Sequence, residues 1–303
     1  MPRLSLIIAT YNRAEQLLVT LRSVAAQTAP VAEWECVVVD NNSTDGTAAR
    51  FEEFREAHPA LPLRRVFETR QGLSWARNRG IAETTGDVVA IIDDDERITP
   101  EFIASYIAFF DAHPAVASAG GRIVAEYPEG RPAWMSRYTE RPIANPIDLG
   151  PAPCPFPRGR IPGGGNMALR RTALGRYGVF DPQLGRRGAR LLGGEESDLF
   201  ARLRRGGEQC WYVPGAVMYH IIPPSKLTPD YFDRLCRNIG VSQRTRAAIG
   251  GGLLRLWMGE AAKWCATLGI ALFYCATGHP QRAAWLVRMR QRITAGMLIF
   301  SES

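Results

Sequence analysis

Three consecutive aspartates follow an uninterrupted apolar run in the stretch Val88–Glu96, VVAIIDDDE. Such a run, without polar alternation, indicates a strand that is buried on both faces of a parallel sheet. Asp93, Asp94 and Asp95 would then lie at its carboxyl end, where open α/β sheets bind their ligands. Crowded carboxylates repel one another, and a set of oxygen ligands favours Mg²⁺ or Mn²⁺. The stretch therefore indicates a divalent-cation site, with a solvated acidic turn as the alternative.

A second group of acidic residues opens a predicted helix within GEESD, residues 194–198. Helical spacing places Glu196 on the apolar face of this helix, together with Leu199, Phe200 and Leu203. Glu195 and Asp198 fall nearer the outer face, where Asp198 can pair with Arg202 four residues later. An inward carboxylate at a helix start is a candidate general base. The alternative, an acidic first turn that complements the helix dipole, explains Glu195 and Asp198 better than Glu196.

The elements that would position these carboxylates alternate between strand and helix. Short apolar strands are predicted at 4–9, 36–39, 63–67 and 88–92, and the helices between them end near residues 27, 57 and 85. This alternation predicts an α/β fold with a doubly wound, mostly parallel sheet. Polar residues follow three of the strands, so we expect them to converge on one sheet edge: Thr10 and Tyr11, Asp40, and Asp93–Asp95.

The chain changes character after a helix predicted near 100–113 and a strand near 116–126. Residues 128–162 contain nine prolines, which indicates either a binding loop or an irregular connector. In the following IPGGGNMALRR, residues 161–171, three glycines would allow a ligand to approach the backbone, and Asn166 is a lone polar residue. Strands are predicted at 209–213 and 216–221. The second carries His220, and a lone histidine in an apolar strand is more often structural than a ligand.

The composition of the 303-residue chain fits one large α/β domain with an appendage. Met1-Pro2-Arg3 leads directly into the first strand, so no signal peptide is expected. The six cysteines are scattered without CxxC pairs, which argues against a zinc site or a disulfide framework and for a reducing compartment.

The net charge of +7 lies at the C-terminal end: residues 231–303 contain ten Lys/Arg and three Asp/Glu, whereas residues 1–230 sum to zero. This balance indicates an anionic partner. Residues 253–276 are apolar, but their uncharged part is 13 residues long, shorter than the roughly 20 that a bilayer span requires.

Residues 282–300 form an amphipathic pattern that is typical of a helix in the membrane interface. Its apolar face is predicted to consist of Trp285, Met289, Ile293 and Met297, and Arg288 and Arg292 mark another face. A helical pair that packs on the catalytic domain or in a homodimer is the alternative. Nucleic acid is disfavoured, because no recognition motif occurs.

With these segments in place, residues 3–225 resemble the family 2 glycosyltransferases of the GT-A fold. The resemblance rests on the ordered motifs IIATYNR (7–13), VVVDNNSTDGT (37–47), GLSWARNRGI (72–81), IIDDDE (91–96), GGGNMALRR (163–171), GEESDL (194–199) and AVMYH (216–220). It implies an inverting hexosyltransferase of the bacterial polysaccharide or glycolipid type. Such an enzyme moves a sugar from a nucleoside diphosphate, with UDP favoured, to an acceptor hydroxyl in one displacement.

The resemblance also implies roles for individual residues. The nucleotide sugar would be bound by Thr10, Tyr11, Arg13, Asp40, Arg77, Asp93 and Asp94. The metal, Mn²⁺ or Mg²⁺, would be held by Asp95, Asp93 and His220. The transferred sugar and the acceptor would be bound by Gly164, Gly165, Asn166 and Glu195. The base in this family is commonly the aspartate of a Gly-Glu-Asp triplet, which is Gly-Glu-Glu here; Glu196 is therefore the expected base, and Glu195 and Asp198 are the alternatives.

The resulting hypothesis is a metal-dependent glycosyltransferase with a catalytic domain at 1–230 and a basic amphipathic helical region at 231–303. Residues 1–115 would form the nucleotide-binding half, and residues 116–230 the acceptor half. The enzyme would be cytoplasmic and peripheral at the inner face of the cell membrane, with a glycan or lipid-linked acceptor.

Two other functions are weaker hypotheses. A sugar nucleotidyltransferase would need a glycine-rich phosphate loop with a basic residue near the N-terminus, which IIATYNR lacks. A non-catalytic nucleotide-sugar-binding module is disfavoured by the presence of all the expected functional residues: Asp93, Asp95, Glu196 and His220.

Overall fold

The computed structural model describes residues 1–185, 193–249 and 251–299. Among these, residues 1–125, 146–185 and 194–221 form one compact unit, and residues 126–145 and the chain from 222 onward form a second unit. This division differs from the predicted boundary at residue 230. The difference arises because part of the proline-rich segment packs on the C-terminal helices: the rings of Trp134 and Trp285 stack with their centroids 3.9 Å apart.

Four parallel strands form the first half of the sheet in the first unit, in the spatial order β3-β2-β1-β4. They are β1 (Leu4–Thr10), β2 (Trp34–Asp40), β3 (Leu63–Phe67) and β4 (Val88–Asp93). The helices that connect them are α1 (Ala14–Ala25), α2 (Thr47–Ala57) and α3 (Leu73–Glu83). The predicted parallel α/β half is confirmed.

The remaining strands extend the sheet beyond β4, where β8 pairs with it in the antiparallel direction. The strands are β5 (Glu96–Ile98), β6 (Ser118–Glu126), β7 (Cys154–Pro155), β8 (Met167–Arg170) and β9 (Cys210–Ile221). The helices of this part are α4 (Phe102–Ala112), α6 (Arg171–Tyr177) and α7 (Glu195–Arg205). The two strands predicted at 209–213 and 216–221 are one continuous strand, β9.

The three inner parallel strands, β1, β2 and β4, are buried on both faces, which is why apolar residues run through them without alternation. In β1, Leu4, Leu6 and Ile8 belong to one apolar cluster, and Ile7 belongs to the cluster on the opposite face. The strand register then fixes the polar ends, since Thr10 lies opposite Asp40 in one neighbouring strand. Ala9 lies opposite Asp93 in the other. The predicted convergence of polar residues on one sheet edge is therefore observed.

The second unit is helical. It consists of α5 (Arg137–Ala144), α8 (Pro229–Ile249), α9 (Leu253–Ala276) and α10 (Pro280–Leu298). Helix α5 lies inside the proline-rich segment, and the sequence showed no periodic pattern that would predict it. The side chain of Ser136 caps its start by accepting hydrogen bonds from the backbone N–H groups of Tyr138 and Thr139. No helix in the described ranges is both long and apolar enough to cross a membrane.

The predicted interfacial face of α10 is instead a packing face. Met289, Ile293 and Met297 are buried, with at most 6% of the residue surface exposed. Helix α10 approaches α8 closely at glycines: a Cβ atom on Gly296 would lie 1.9 Å from the carbonyl oxygen of Arg237. Because the same periodicity serves a membrane face and a packing face, the sequence pattern could not separate them.

Candidate active site

An acidic cluster lies at the carboxyl end of β4. One carboxylate oxygen from each of Asp93, Asp95 and Glu96 lies within 4.8 Å of the others, close enough to share a metal ion. Glu96 is buried, and one of its oxygens accepts a hydrogen bond from the backbone N–H of Asp93 at 2.9 Å. Burial and the charges of Asp93 and Asp95 raise the pKa of Glu96 well above its ordinary value. A bound divalent cation would reverse that shift.

Glu96 was not singled out from the sequence as a candidate metal ligand, although it is the fourth consecutive acidic residue of the motif. The predicted ligand His220 lies opposite Glu96 in the antiparallel pair of β5 and β9. Among the residues that the structure describes, the cluster of possible metal ligands consists of Asp93, Asp95 and Glu96 and does not include His220. Its role in metal binding stays a prediction.

Asp94 points into the protein, unlike its neighbours in the acidic run. It is 4% exposed, and its carboxylate accepts hydrogen bonds from the Thr10 hydroxyl and an Arg13 guanidinium nitrogen, both at 2.8 Å. The same nitrogen of Arg13 lies 3.2 Å from Asp95. Burial raises the pKa of Asp94 to about 6 against the opposing charge of Arg13. Asp94 thus holds the side chains of Thr10 and Arg13 in place. Its predicted role in nucleotide binding stays a prediction.

The loops after β1 and β2 are tied together beside this cluster. Asn12 adopts a left-handed backbone conformation, and its side-chain oxygen accepts a hydrogen bond from the backbone N–H of Thr44 at 2.7 Å. The buried carboxylate of Asp40 accepts hydrogen bonds from the Ser43 N–H at 3.0 Å and from Arg65 at 3.2 Å. Between these anchored residues, Tyr11 is 41% exposed, so its ring is accessible for stacking against a planar ligand.

Asn41 was not singled out from the sequence but joins β2 to the start of α3. Its side-chain amide donates hydrogen bonds to the carbonyl groups of Glu68 and Arg70, at 3.0 and 2.8 Å. Its oxygen accepts one from the backbone N–H of Gly72 at 2.8 Å. This connection positions the helix that carries Arg77.

Arg77 links the acidic cluster to the predicted base. Its guanidinium is fully buried and donates to Asp93 at 3.0 Å, to the carbonyl oxygen of Gly164 at 3.1 Å, and to the two glutamates of α7. The distances to those glutamates are 2.9 Å for Glu196 and 3.2 Å for Glu195. One cation therefore neutralises carboxylates from two distant segments, as a buried charge requires.

The two glutamates differ in exposure in a way that the helical projection did not predict. The side chain of Glu195 is 3% exposed, and that of Glu196 is 20% exposed. The prediction that Glu195 lies on the outer face is therefore wrong. Side chains in a first helical turn lean toward the helix N-terminus, and here Arg77 lies at that end. The predicted pair of Asp198 and Arg202 is present at 2.9 Å.

The environment also separates the charge states of these glutamates. Burial and the neighbouring charge of Glu196 raise the pKa of Glu195 to about 8. Burial also acts to raise the pKa of Glu196, but the charge and hydrogen bond of Arg77 outweigh it and lower that pKa below its ordinary value. At neutral pH the pair therefore holds one proton, on Glu195, and Glu196 is ionised.

The glycine run lets the backbone reach these carboxylates. A Cβ atom on Gly164 would lie 2.0 Å from an oxygen of Glu196, and one on Gly165 would lie 1.9 Å from Glu96. Asn166 is fully buried and bonded within the protein to Tyr106, Arg122 and Ala216, at 2.6, 3.0 and 2.9 Å. These hydrogen bonds anchor the end of the glycine run. The predicted contact of Asn166 with the sugar stays a prediction.

A parallel half-sheet with an acidic cluster at the carboxyl end of β4 is typical of glycosyltransferases of the GT-A fold. Residues 5–178, more than half of the chain, match the family model described as "Glycosyl transferase family 2". The chain belongs to this family.

Several characterised proteins are similar to this chain. Succinoglycan biosynthesis protein ExoM of Rhizobium meliloti is 27% identical over 97% of this chain and 93% of its own length. Glucosyl-dolichyl phosphate glucuronosyltransferase of Haloferax volcanii is 25% identical over 72% of this chain and 69% of its own length. Glycosyltransferase AglE of the same organism is 33% identical, but the match spans only 46% of this chain and 44% of AglE.

Solved structures share the fold at low sequence identity. The mannosyltransferase PcManGT from Pyrobaculum calidifontis, in complex with GDP-Man and Mn²⁺, has a TM-score of 0.62 at 19% identity, covering 96% of this chain and 87% of its own. TarS of S. aureus, in complex with UDP-GlcNAc, has a TM-score of 0.53 at 22% identity, covering 80% and 66%.

Replacing Arg77 with Met should destabilise the fold by about 3–5 kcal/mol, because it leaves three carboxylates near or inside the core without their cation. The matched control is Arg79→Met on the same helix. Arg79 is 42% exposed and pairs with Glu83 at 2.7 Å, so its loss should cost less than about 1 kcal/mol. Urea unfolding at neutral pH measures both values. Equal losses in the two variants would contradict the role given to Arg77.

Proposed function

We propose that this glycosyltransferase moves a sugar from a nucleoside diphosphate to an acceptor hydroxyl with inversion, and that it requires a divalent cation. The observation that carries the proposal is the link through Arg77 between the acidic cluster and an ionised Glu196. A single displacement needs both features. The acidic cluster, with its cation, stabilises the leaving diphosphate. Glu196 accepts the proton of the attacking hydroxyl.

The acidic cluster fits Mn²⁺ or Mg²⁺. Its donors are oxygen atoms of Asp93, Asp95 and Glu96, the ligand type that both ions prefer. Burial and the charges of Asp93 and Asp95 raise the pKa of Glu96, and a bound cation would relieve the repulsion among these carboxylates. When bound, the cation would neutralise the charge that develops on the leaving diphosphate. The presence of Mn²⁺ with GDP-Man in PcManGT, which shares the fold, supports this proposal.

Glu196 serves as the general base. Its side chain is partly exposed, and the hydrogen bond from Arg77 keeps it ionised. The acceptor oxygen bonds to the anomeric carbon, the bond from that carbon to the diphosphate breaks, and the acceptor proton passes to Glu196. Glu195 stays protonated beside it, so the carboxylate of the pair that is free to accept the proton is Glu196. A single displacement needs no covalent nucleophile and inverts the anomeric carbon.

The nucleotide binds beside the ends of β1 and β2. The exposed ring of Tyr11 stacks on the nucleobase, and Thr10 and Asp40, which are held in place by hydrogen bonds, lie next to it. The family resemblance favours UDP. The solved structures that share the fold include complexes with GDP-Man and with UDP-GlcNAc. The identity of the nucleobase is therefore left to the binding experiment below.

The acceptor is a glycan or lipid-linked saccharide at the inner face of the cell membrane. The names of two similar proteins support this class: one takes part in succinoglycan biosynthesis, and the other acts on a glucosyl-dolichyl phosphate. The basic C-terminal helices of this chain suit an anionic surface near such an acceptor.

Thermal unfolding with UDP, GDP or dTDP, each with and without Mn²⁺, tests the donor and metal site. One nucleotide should raise the melting temperature only with Mn²⁺, since a ligand at 100 times its dissociation constant adds about 2.7 kcal/mol. Asp95→Asn should abolish this shift. Asp87→Asn, a charge-matched change at an exposed residue before β4, should keep it. A shift that does not depend on Mn²⁺, or persists in Asp95→Asn, would contradict the metal site.

Glu196→Gln should lower the turnover number for sugar transfer by about 10²–10⁴-fold, because the variant cannot accept the acceptor proton. Its Mn²⁺-dependent thermal shift with the nucleotide should stay unchanged. Asp198→Asn is the matched control on the same helical turn, since Asp198 is partly exposed and pairs with Arg202 at 2.9 Å. Full transfer activity in Glu196→Gln would show that another residue is the base.

A further inference from the structure

Helix α9 exposes a continuous apolar face. Its inward side is marked by the buried residues Glu260, Thr267 and Ala271. The opposite side carries large side chains at helical spacing with most of their surface exposed: Leu254 (76%), Met258 (67%), Leu268 (51%), Leu272 (72%) and Phe273 (63%). An exposed apolar face along a helix about 36 Å in length is unusual for a surface that meets only water.

The charges of α9 are kept away from this face. Its one acidic residue, Glu260, is turned inward, where it lies 3.1 Å from Arg290 and accepts a hydrogen bond from Thr294 at 2.7 Å. The charged residues at the margins are both cationic: Arg255 is exposed, and Lys263 is 47% exposed. Apolar residues edged by cations match an anionic lipid surface.

The same charge pattern argues against a second copy of the chain as the occupant. A parallel pair of α9 helices would bring Arg255 and Lys263 of both copies together, and an antiparallel pair would bring together the two Lys263 residues near the helix midpoint. In either case α9 offers no acidic residue on that side to balance them. Paired helices normally place opposite charges beside their apolar seam.

A cavity of about 290 Å³ adjoins this face. It is lined by Arg137, Tyr138, Gly269, Ile270, Phe273 and Tyr274. The guanidinium of Arg137 lies against Tyr138, 4.8 Å from the ring centroid and 2.6 Å from its hydroxyl. A cation and two phenols beside aromatic and aliphatic walls suit a phosphate group attached to an apolar chain.

We propose that the outer face of α9 lies in the head-group region of an anionic membrane, with the cavity at Arg137 receiving a lipid phosphate. The helix proposed to contact the membrane differs from the one predicted from the sequence. The apolar face of α10 is buried, whereas that of α9 is exposed. The inference deepens the proposed membrane-bound acceptor. It is tested without any donor or metal, so its failure would leave the transferase site untouched.

The test is flotation of the full chain with phosphatidylcholine vesicles, with and without one quarter phosphatidylglycerol. The wild-type protein should float with the anionic vesicles. Met258→Glu/Leu272→Glu should lose at least tenfold in partitioning, because it places two acidic groups in the apolar contact. Val31→Glu, at a 51% exposed apolar residue of the first unit, should float like the wild type. A far-UV circular dichroism spectrum and a cooperative thermal transition like those of the wild type would show that each variant is folded.

Arg137→Gln tests the cavity. It should lower partitioning to the anionic vesicles by about fivefold, the effect of one basic residue near a charged surface, and should not change binding to neutral ones. Arg50→Gln, a 46% exposed arginine of the first unit, is the control. Equal binding of Arg137→Gln and wild type would overturn the phosphate assignment.

Two results would overturn the membrane proposal. One is a wild-type protein that floats with neither vesicle. The other is a solution dimer, seen by light scattering, that Met258→Glu/Leu272→Glu dissociates while vesicle binding is absent; that result would assign α9 to a second copy. Displacement from vesicles by millimolar inorganic phosphate would show that the cavity takes free phosphate rather than a lipid.

Discussion

The buried guanidinium of Arg77 is the interaction on which the rest of the site depends. A charge removed from water is tolerated only where oppositely charged or polar groups surround it. Arg77 finds Asp93 at the end of β4, the Gly164 carbonyl oxygen and both glutamates of α7. Asp93 lies 16 residues from Arg77 along the chain, whereas Gly164 and the two glutamates lie 87 to 119 residues away. Their meeting at one side chain therefore aligns the two halves of the first unit.

This single contact also sets the chemistry of the two glutamates. Burial alone would protonate both of them, whereas the shorter hydrogen bond of Arg77 to Glu196 divides the pair into one ionised and one protonated carboxyl. The glycine run is part of the same arrangement. Side chains at Gly164 or Gly165 would occupy the space of the carboxylate oxygens that Arg77 and the acidic cluster hold. The site thus combines a cluster of carboxylate oxygens, suited to a cation, with a base that Arg77 keeps charged.

The sequence predicted the features that depend on local pattern. Apolar strands ending in Thr10, Asp40 and Asp93 implied a parallel sheet with its polar ends on one edge, because strand polarity and register follow from the βα alternation. Features that depend on long-range packing were missed. Neither the burial of Glu195 nor the bonding of Asn166 to Tyr106 can be read from neighbouring residues. Helices α9 and α10 show the same limit, since an amphipathic stripe does not reveal what covers it.

The most direct test of this account is a ¹³C NMR titration of the glutamate side-chain carboxyls in the apo protein. Glu195→Gln and Glu196→Gln would assign the two signals. The account predicts that Glu195 titrates near pH 8 and Glu196 below its ordinary value of about 4.3. If both carboxyls instead titrated near 4.3, Arg77 would not divide the pair, and the assignment of Glu196 as an ionised base would lose its physical support.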